Sequence, residues 1–415
     1  MPSVCLYFRV HIPYRLKTFP KRSILGTGNF LDLANESVIN KLADECYLPA
    51  NKIMQDLISE NKGKFKIAFS ISGTTIELLQ KFRPDVMNSF KKLAATGCVE
   101  FLAETYYNSL SWLHSKPEFR RQVEMHHAMI EEVFGYSPVI FRNTELVYNN
   151  ELADFMNEMG YKGILCEGLE NILNGRTPNQ LYAAHGNSDI AVLLRNTRLS
   201  DDIAFRFDDY TWNEQPLTAE KFAGWIHAHD SNTNSIQLYF DYESFGVYKK
   251  GETGIFDFLK EFPGAVMKNE SWTFQTASDV INEQAPVDVF DSPQIISWQD
   301  KSEDNCIWSE NAMQRSSLHK IYQVENMVQT INCTNAMEYW GYLQSADHFF
   351  CMSEQRKIVN DIYFSLCPFD SAADAHQHYK NMVTEFEVHL IQKELESFRE
   401  NRPKEKAYHL YAGTN

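Results

Sequence analysis

The chain has 415 residues, 44% apolar and 13% aromatic with 28 Phe and 20 Tyr, enough to bury one large core and a smaller one. A formal net charge of −16 argues against nucleic acid and anionic membranes as partners. No apolar run approaches the roughly 18 residues of a membrane span, and the apolar start Val4–Phe8, stopped by Arg9, is too short for a secretory leader, so a cytoplasmic protein is expected. Eight cysteines (5, 46, 98, 166, 306, 333, 351 and 367) lie scattered, which leaves no CxxC motif and predicts reduced, mostly buried thiols.

In chain order, seven short strand-like runs occur: Val4–Val10, Phe65–Ile71, Cys98–Leu102, Val139–Phe141, Gly163–Leu165, Ala191–Leu194 and Ile236–Phe240. Most gaps between them carry a helical pattern. Over Glu77–Ala95, apolar residues return every three or four positions (Leu78, Leu79, Phe82, Val86, Phe90, Leu93), with Gly97 beyond. Pro117–Phe134 before Gly135 and Glu151–Met159 before Gly160 follow the same rule. Strands alternating with helices, each strand apolar on both faces, predict a buried parallel sheet with crossover helices. Without a Gly-x-Gly-x-x-Gly loop, this favours a closed or nearly closed barrel over an open nucleotide-binding sheet.

Residues just past such strands line one mouth of a barrel. They are His11, Glu100 with Glu104, Arg142 with Glu145, Glu167, Arg195, and Asp241 with Glu243. The last pair is the most informative. Gln237–Phe240 reads as a buried strand, and two carboxylates follow at once, two residues apart and so on one face of an extended backbone. Carboxylates at the end of a buried strand cost desolvation, which chemistry commonly explains. Past about residue 285, Val287–Trp298 is irregular, and Asn311–Thr330, Ala336–Phe350 and Ala372–Glu400 read as helices. His227-x-His229 and His376-x-His378 lie in helical stretches, where residues two apart diverge, so neither pair suits a metal.

Five segments together carry a resemblance: His11-Ile12-Pro13, Gly97-Cys98-Val99-Glu100-Phe101, Phe141-Arg142-Asn143-Thr144-Glu145-Leu146, Phe240-Asp241-Tyr242-Glu243-Ser244-Phe245-Gly246, and Trp298-x-Asp300-x-x-x-Asp304-x-x-x-Trp308-x-x-Asn311-x-x-Gln314. In this order they resemble the conserved regions of glycoside hydrolase family 57, the α-amylase type. The resemblance implies an α/β fold, an incomplete (β/α)7 barrel over 1–285, followed by a helical domain over 286–415 that contributes to the cleft. It implies a retaining glycoside hydrolase acting on α-1,4-linked glucan or malto-oligosaccharides through a covalent glycosyl-enzyme on Glu145, with Asp241 as acid/base. A 4-α-glucanotransferase or related α-glycosidase is the alternative within the family. No metal and no cofactor are implied. Sugar-binding positions fall on His11, Glu100, Glu243, and Asp304 or Trp308. Arg142 and Trp298 join them as candidate substrate contacts, and Trp112, Trp298 and Trp308 are candidate sugar platforms.

Some residues depart from the family pattern. Ile12 stands where the family carries an amide, Asn108 where many relatives carry His, and Ser302-Glu303 where an acid–arginine pair is usual. Readings from other classes remain. A metal-dependent polysaccharide deacetylase needs an Asp-Asp pair near the first strand and a His-x-x-x-His, and the sequence has neither there. A catalytically silent carbohydrate-binding protein is opposed by the retained Glu145 and Asp241.

Overall fold

The computed structural model describes residues 1–15, 32–229, 233–298, 309–354 and 367–400. Its main strands are β1 (Ser3–Val10), β2 (Ile67–Ile71), β3 (Val99–Phe101), β4 (Ile140–Arg142), β5 (Gly163–Glu167), β6 (Leu181–Ala184), β7 (Asn187–Arg195) and β8 (Ser235–Asp241). β1 is buried throughout and pairs in parallel with β2 on one side and β8 on the other. The ring continues from β2 to β3, crosses to β4 by the bridge Ala103–Phe141, and passes through β5 to β7. β7 returns to β8 through the pair Arg195–Gln237 alone, so the barrel is only nearly closed.

β1 to β5, β7 and β8 are the seven parallel strands expected from the sequence. β6 is an addition: it pairs antiparallel with β7 and in parallel with Asp288–Phe290. Its four residues were too few to show a period. Along each ring strand, side chains alternate between two cores. Val4, Leu6, Phe8 and Val10 face the helices. Cys5 and Tyr7 face the barrel interior with Ala68, Leu102, Ile140, Leu165, Leu193 and Tyr239. Arg9 continues that inward series.

The helices follow local chemistry. Lys116–Phe134 begins at Ser115, whose hydroxyl accepts the Glu118 N–H, and ends at Gly135 with φ 66°. The helix expected over Glu77–Ala95 is two helices, Gly73–Phe82 and Pro84–Ala94, because Pro84 has no N–H to continue the first and starts the second. Asp32–Leu42 passes through a π turn at Ala43–Tyr47 into Leu48–Glu60. The C-terminal part is helical: Ala312–Gln323, Glu325–Ile331, Thr334–Leu343, Ala346–Phe350 and Ala372–Glu400.

One thiol expectation is corrected. Cys351 and Cys367 form a disulfide, their Cα atoms 6.0 Å apart, because the fold brings two segments of the helical part together there. Cys5, Cys46, Cys98 and Cys166 are free and buried, as expected, while Cys333 is free and half-buried. Among the described residues no helix is long and apolar enough to cross a membrane.

Candidate active site

A cleft opens at the carboxyl ends of the strands. Its lining includes Arg9, Arg142, Glu145, Arg195, Asp241 and Trp298, with the rings of Phe205, Tyr239, Phe240 and Tyr248 among them. At its floor, Arg9 stands between the two candidate catalytic carboxylates. Its Nη1 lies 3.1 Å from Asp241 Oδ1 and its Nη2 3.3 Å from Glu145 Oε1. Strand register explains the first contact, since Arg9 and Asp241 are directly paired across β1 and β8. Two carboxylates at one floor repel each other, and a guanidinium between them offsets that repulsion.

Glu145 reaches the cleft by an unusual backbone. After β4 the chain makes a one-turn 3-10 helix, Thr144–Leu146, in which Glu145 (φ 56°, ψ 25°) and Leu146 (φ 53°) are left-handed. Such residues cost on the order of 1–3 kcal/mol each and concentrate at functional sites. Asn143 holds the turn, its side chain accepting from the Thr144 N–H at 2.9 Å and donating to the Val147 carbonyl at 3.0 Å. Trp298 fixes the carboxylate, its indole Nε1 lying 2.7 Å from Glu145 Oε2.

Other expected positions take different parts. Arg142 pairs with Glu104 rather than Glu145, at 3.1 Å and fully buried, and its guanidinium lies over the Tyr239 ring at 5.6 Å. Arg195 bonds Glu167 at 3.0 Å and Asp201 at 2.5 Å. Both arginines form the cleft wall while tied from behind. Glu243 departs from the one-face expectation: β8 ends at Asp241, and a 3-10 turn over Tyr242–Ser244 swings Glu243 away from the cleft. There the Tyr47 hydroxyl, presented by the π turn, donates to its carboxylate. Burial first, then the Asp241 charge, pushes the Glu243 carboxyl up to about 8.

His11 joins the barrel to the helical part. Its Nε2 lies 2.8 Å from Asp347 Oδ2 and its Nδ1 2.7 Å from Ser72 Oγ. Ser345 Oγ (2.7 Å) and Asn108 Nδ2 (3.4 Å) donate to the same Asp347 oxygen. Burial raises the Asp347 carboxyl, but the His11 charge and hydrogen bond outweigh it and hold the group well below the usual carboxylate range. Asn108, one of the departures from the family pattern, therefore serves this junction. Ile12, another, is buried, and its backbone N–H donates to Thr75 Oγ1 at 2.7 Å.

Two candidates lie apart from the cleft. Glu100 points into the barrel one layer deeper, where Ser278 closes the far end and bonds its carboxylate through hydroxyl and backbone N–H. Trp112 packs against Phe119 and Phe155 and donates to Asn149 Oδ1 at 3.2 Å, so it is core rather than platform. Asp304 and Trp308, with Ser302 and Glu303, lie outside the described residues. His227 bonds the Val266 carbonyl and His229 the Asn179 amide. Among the described residues no group of three His, Cys, Asp or Glu side chains is arranged to hold a metal ion.

Arg9 and Asp347 were not among the expected site residues. Arg9 left a signal, a full charge inside an otherwise apolar buried run. Asp347 left none, because its helix carries no motif and its partner stands 336 positions earlier.

Comparison with known proteins bears on the family and the fold. Residues 5–295 match the model of glycosyl hydrolase family 57. A Methanocaldococcus jannaschii protein named "Putative alpha-amylase" is 36% identical over 403 residues, covering 92% of this chain and 84% of its own. The 4-alpha-glucanotransferase of Thermococcus litoralis is 23% identical over 272 residues, 63% of this chain but only 39% of that enzyme. The solved family 57 branching enzyme of Pyrococcus horikoshii shares the fold with a TM-score of 0.66 at 13% identity, covering 94% of this chain and 96% of that one. The barrel, the order of its motifs and these matches together establish that the chain belongs to glycosyl hydrolase family 57, a family of glycoside hydrolases.

Proposed function

We propose that the chain is a retaining glycoside hydrolase acting on α-1,4-linked glucan, with Glu145 as nucleophile and Asp241 as general acid/base. The observation that carries this reading is the sharing of one guanidinium by both carboxylates. It brings both carboxylates to one cleft floor, on the two sides of a single cation, and a retaining mechanism calls for about 5–5.5 Å between them. Glu145 attacks the anomeric carbon as the glycosidic C–O bond breaks, and Asp241 gives its proton to the departing oxygen. Asp241 then takes a proton from the incoming water, which attacks the same carbon and frees Glu145. The aromatic cleft wall suits the apolar faces of a polyhydroxylated chain.

A 4-α-glucanotransferase activity is the second reading, supported by the relative of that name and by the same chemistry with a sugar hydroxyl replacing water. Incubation with maltoheptaose, followed by proton NMR of the first product and chain-length analysis, tests both. An α-anomer with shorter products supports retaining hydrolysis, and products longer than the substrate support transfer. A β-anomer formed first overturns the retaining assignment.

A further inference from the structure

We propose that Arg9 is the positioning residue of the catalytic pair: one two-pronged cation that sets the spacing of Glu145 and Asp241 and leaves both aimed into the cleft. This rests on the roles proposed for those two carboxylates. Arg9 is 5% exposed and is planted on the central strand, whose register puts it beside Asp241. Its two terminal nitrogens go to two different acids, at 3.1 and 3.3 Å, rather than both to one. A lone ion pair would use the fork on a single carboxylate. Here the planar fork acts as a spacer between residues that come from opposite sides of the barrel.

The other two arginines of the cleft lining are engaged elsewhere, Arg142 with Glu104 and Arg195 with Glu167 and Asp201. Lysine cannot reproduce the device, since a single ammonium is a point charge without two fixed directions.

Arg9→Met and Arg9→Lys test this, with kcat and KM measured on maltoheptaose. Arg9→Met should lose about a hundredfold in kcat with KM nearly unchanged, the usual consequence of a misplaced reacting group. Arg9→Lys keeps the buried charge and so the fold, and should recover only part of that loss. Wild-type kcat in folded Arg9→Lys, or an effect confined to KM in either variant, overturns the proposal. Glu145→Ala and Asp241→Ala run alongside. If those two are inactive while the Arg9 variants are fully active, only the role of Arg9 fails. If they keep wild-type rates, the site itself has been misassigned.

A separate observation concerns the last helix, Ala372–Glu400. Ala375, Tyr379, Met382, Val383, Phe386 and Leu390 face the core, but the final turns carry a second apolar stripe. Val388, Ile391, Leu395 and Phe398 are 48, 43, 51 and 66% exposed, and their 3-4-3 spacing is that of a coiled-coil seam. We infer that this stripe is the contact surface for the same helix of a second copy of the chain. In a parallel pairing with these residues as the seam, Glu394 flanks it on one helix and Arg399 on the other, in the positions that form interhelical ion pairs.

Sedimentation of the full chain at micromolar concentration tests this, with Leu395→Glu/Phe398→Glu as the comparison. A wild-type dimer that the double variant converts to a monomer of unchanged melting temperature is expected. A monomeric wild type, or a dimer indifferent to the variant, overturns the inference, the first assigning the stripe to another segment of the same chain or to a different partner.

Discussion

Trp298 grips Glu145 twice. Its indole N–H donates to Oε2 at 2.7 Å, and its backbone N–H donates to the Glu145 carbonyl at 3.3 Å. The side-chain bond locks a carboxylate whose backbone is already strained. Trp298→Phe keeps the ring beside Phe205 and removes only the donor. A hydrogen bond to a charged group contributes about 1.5–3 kcal/mol, so kcat/KM should fall roughly ten- to a hundredfold. Unchanged kinetics would mean that Glu145 needs no such anchor.

The roles of Glu145 and Asp241 separate with the choice of substrate. Glu145→Ala should abolish turnover of natural glucan, since no covalent intermediate can form. Azide or formate should rescue it in part, with inverted configuration in the product. Asp241→Ala should spare an α-glycosyl fluoride, whose departure needs little protonation, and lose several orders of magnitude on glucan. Equal failure of both variants on both substrates would show that the roles are misassigned.

Glu100 gives stability a pH dependence with a defined sign. Burial, with a smaller push from Asp279, raises its carboxyl from 4.5 to about 7 against the hydrogen bonds of Ser278. The folded chain therefore holds a proton that the unfolded chain has released. Its contribution is complete below about pH 4.5 and is lost as pH rises to about 7. Glu100→Gln removes this titration. Between those limits the stability difference should move in the variant's favour by on the order of 3 kcal/mol. Denaturant melts at the two ends of the window check it, and a constant difference would contradict the account.

Gly246 is held to its type by space as well as by φ 112°. A Cβ there would overlap the Glu45 carbonyl oxygen, in the π turn that also carries Tyr47. Gly246→Ala should destabilise by about 2 kcal/mol or more and disturb the Tyr47–Glu243 contact. An unshifted melting temperature would show that the turn yields freely.

Much of the barrel was readable because its strands are apolar on both faces and its helices are capped by residues such as Ser115 and Gly135. Glu145 and Asp241 were readable as candidates because Asp241 closes a buried strand and Glu145 follows one within three residues. Other features were invisible for specific reasons. Alternation placed Glu243 beside Asp241 only while the backbone stayed extended, and a single 3-10 turn ended that. Arg142 stood near Glu145 in sequence, yet its side chain found Glu104 across β3 and β4. The contacts Arg9–Glu145 and His11–Asp347 join residues far apart in the chain, and no local pattern encodes such a meeting.

The His11–Asp347 junction bears on how this chain could be cut or recombined. A fragment ending at residue 285 would keep every ring strand and both candidate catalytic carboxylates. It would also expose His11 without its acid and free Glu145 from Trp298, since both partners lie beyond the cut. The helical part is thus no detachable accessory that could be exchanged for a relative's to retune specificity. A chimaera joined there would inherit a cleft floor whose outer bolts came from another protein, and it would have to supply its own acid for His11 and its own indole for Glu145.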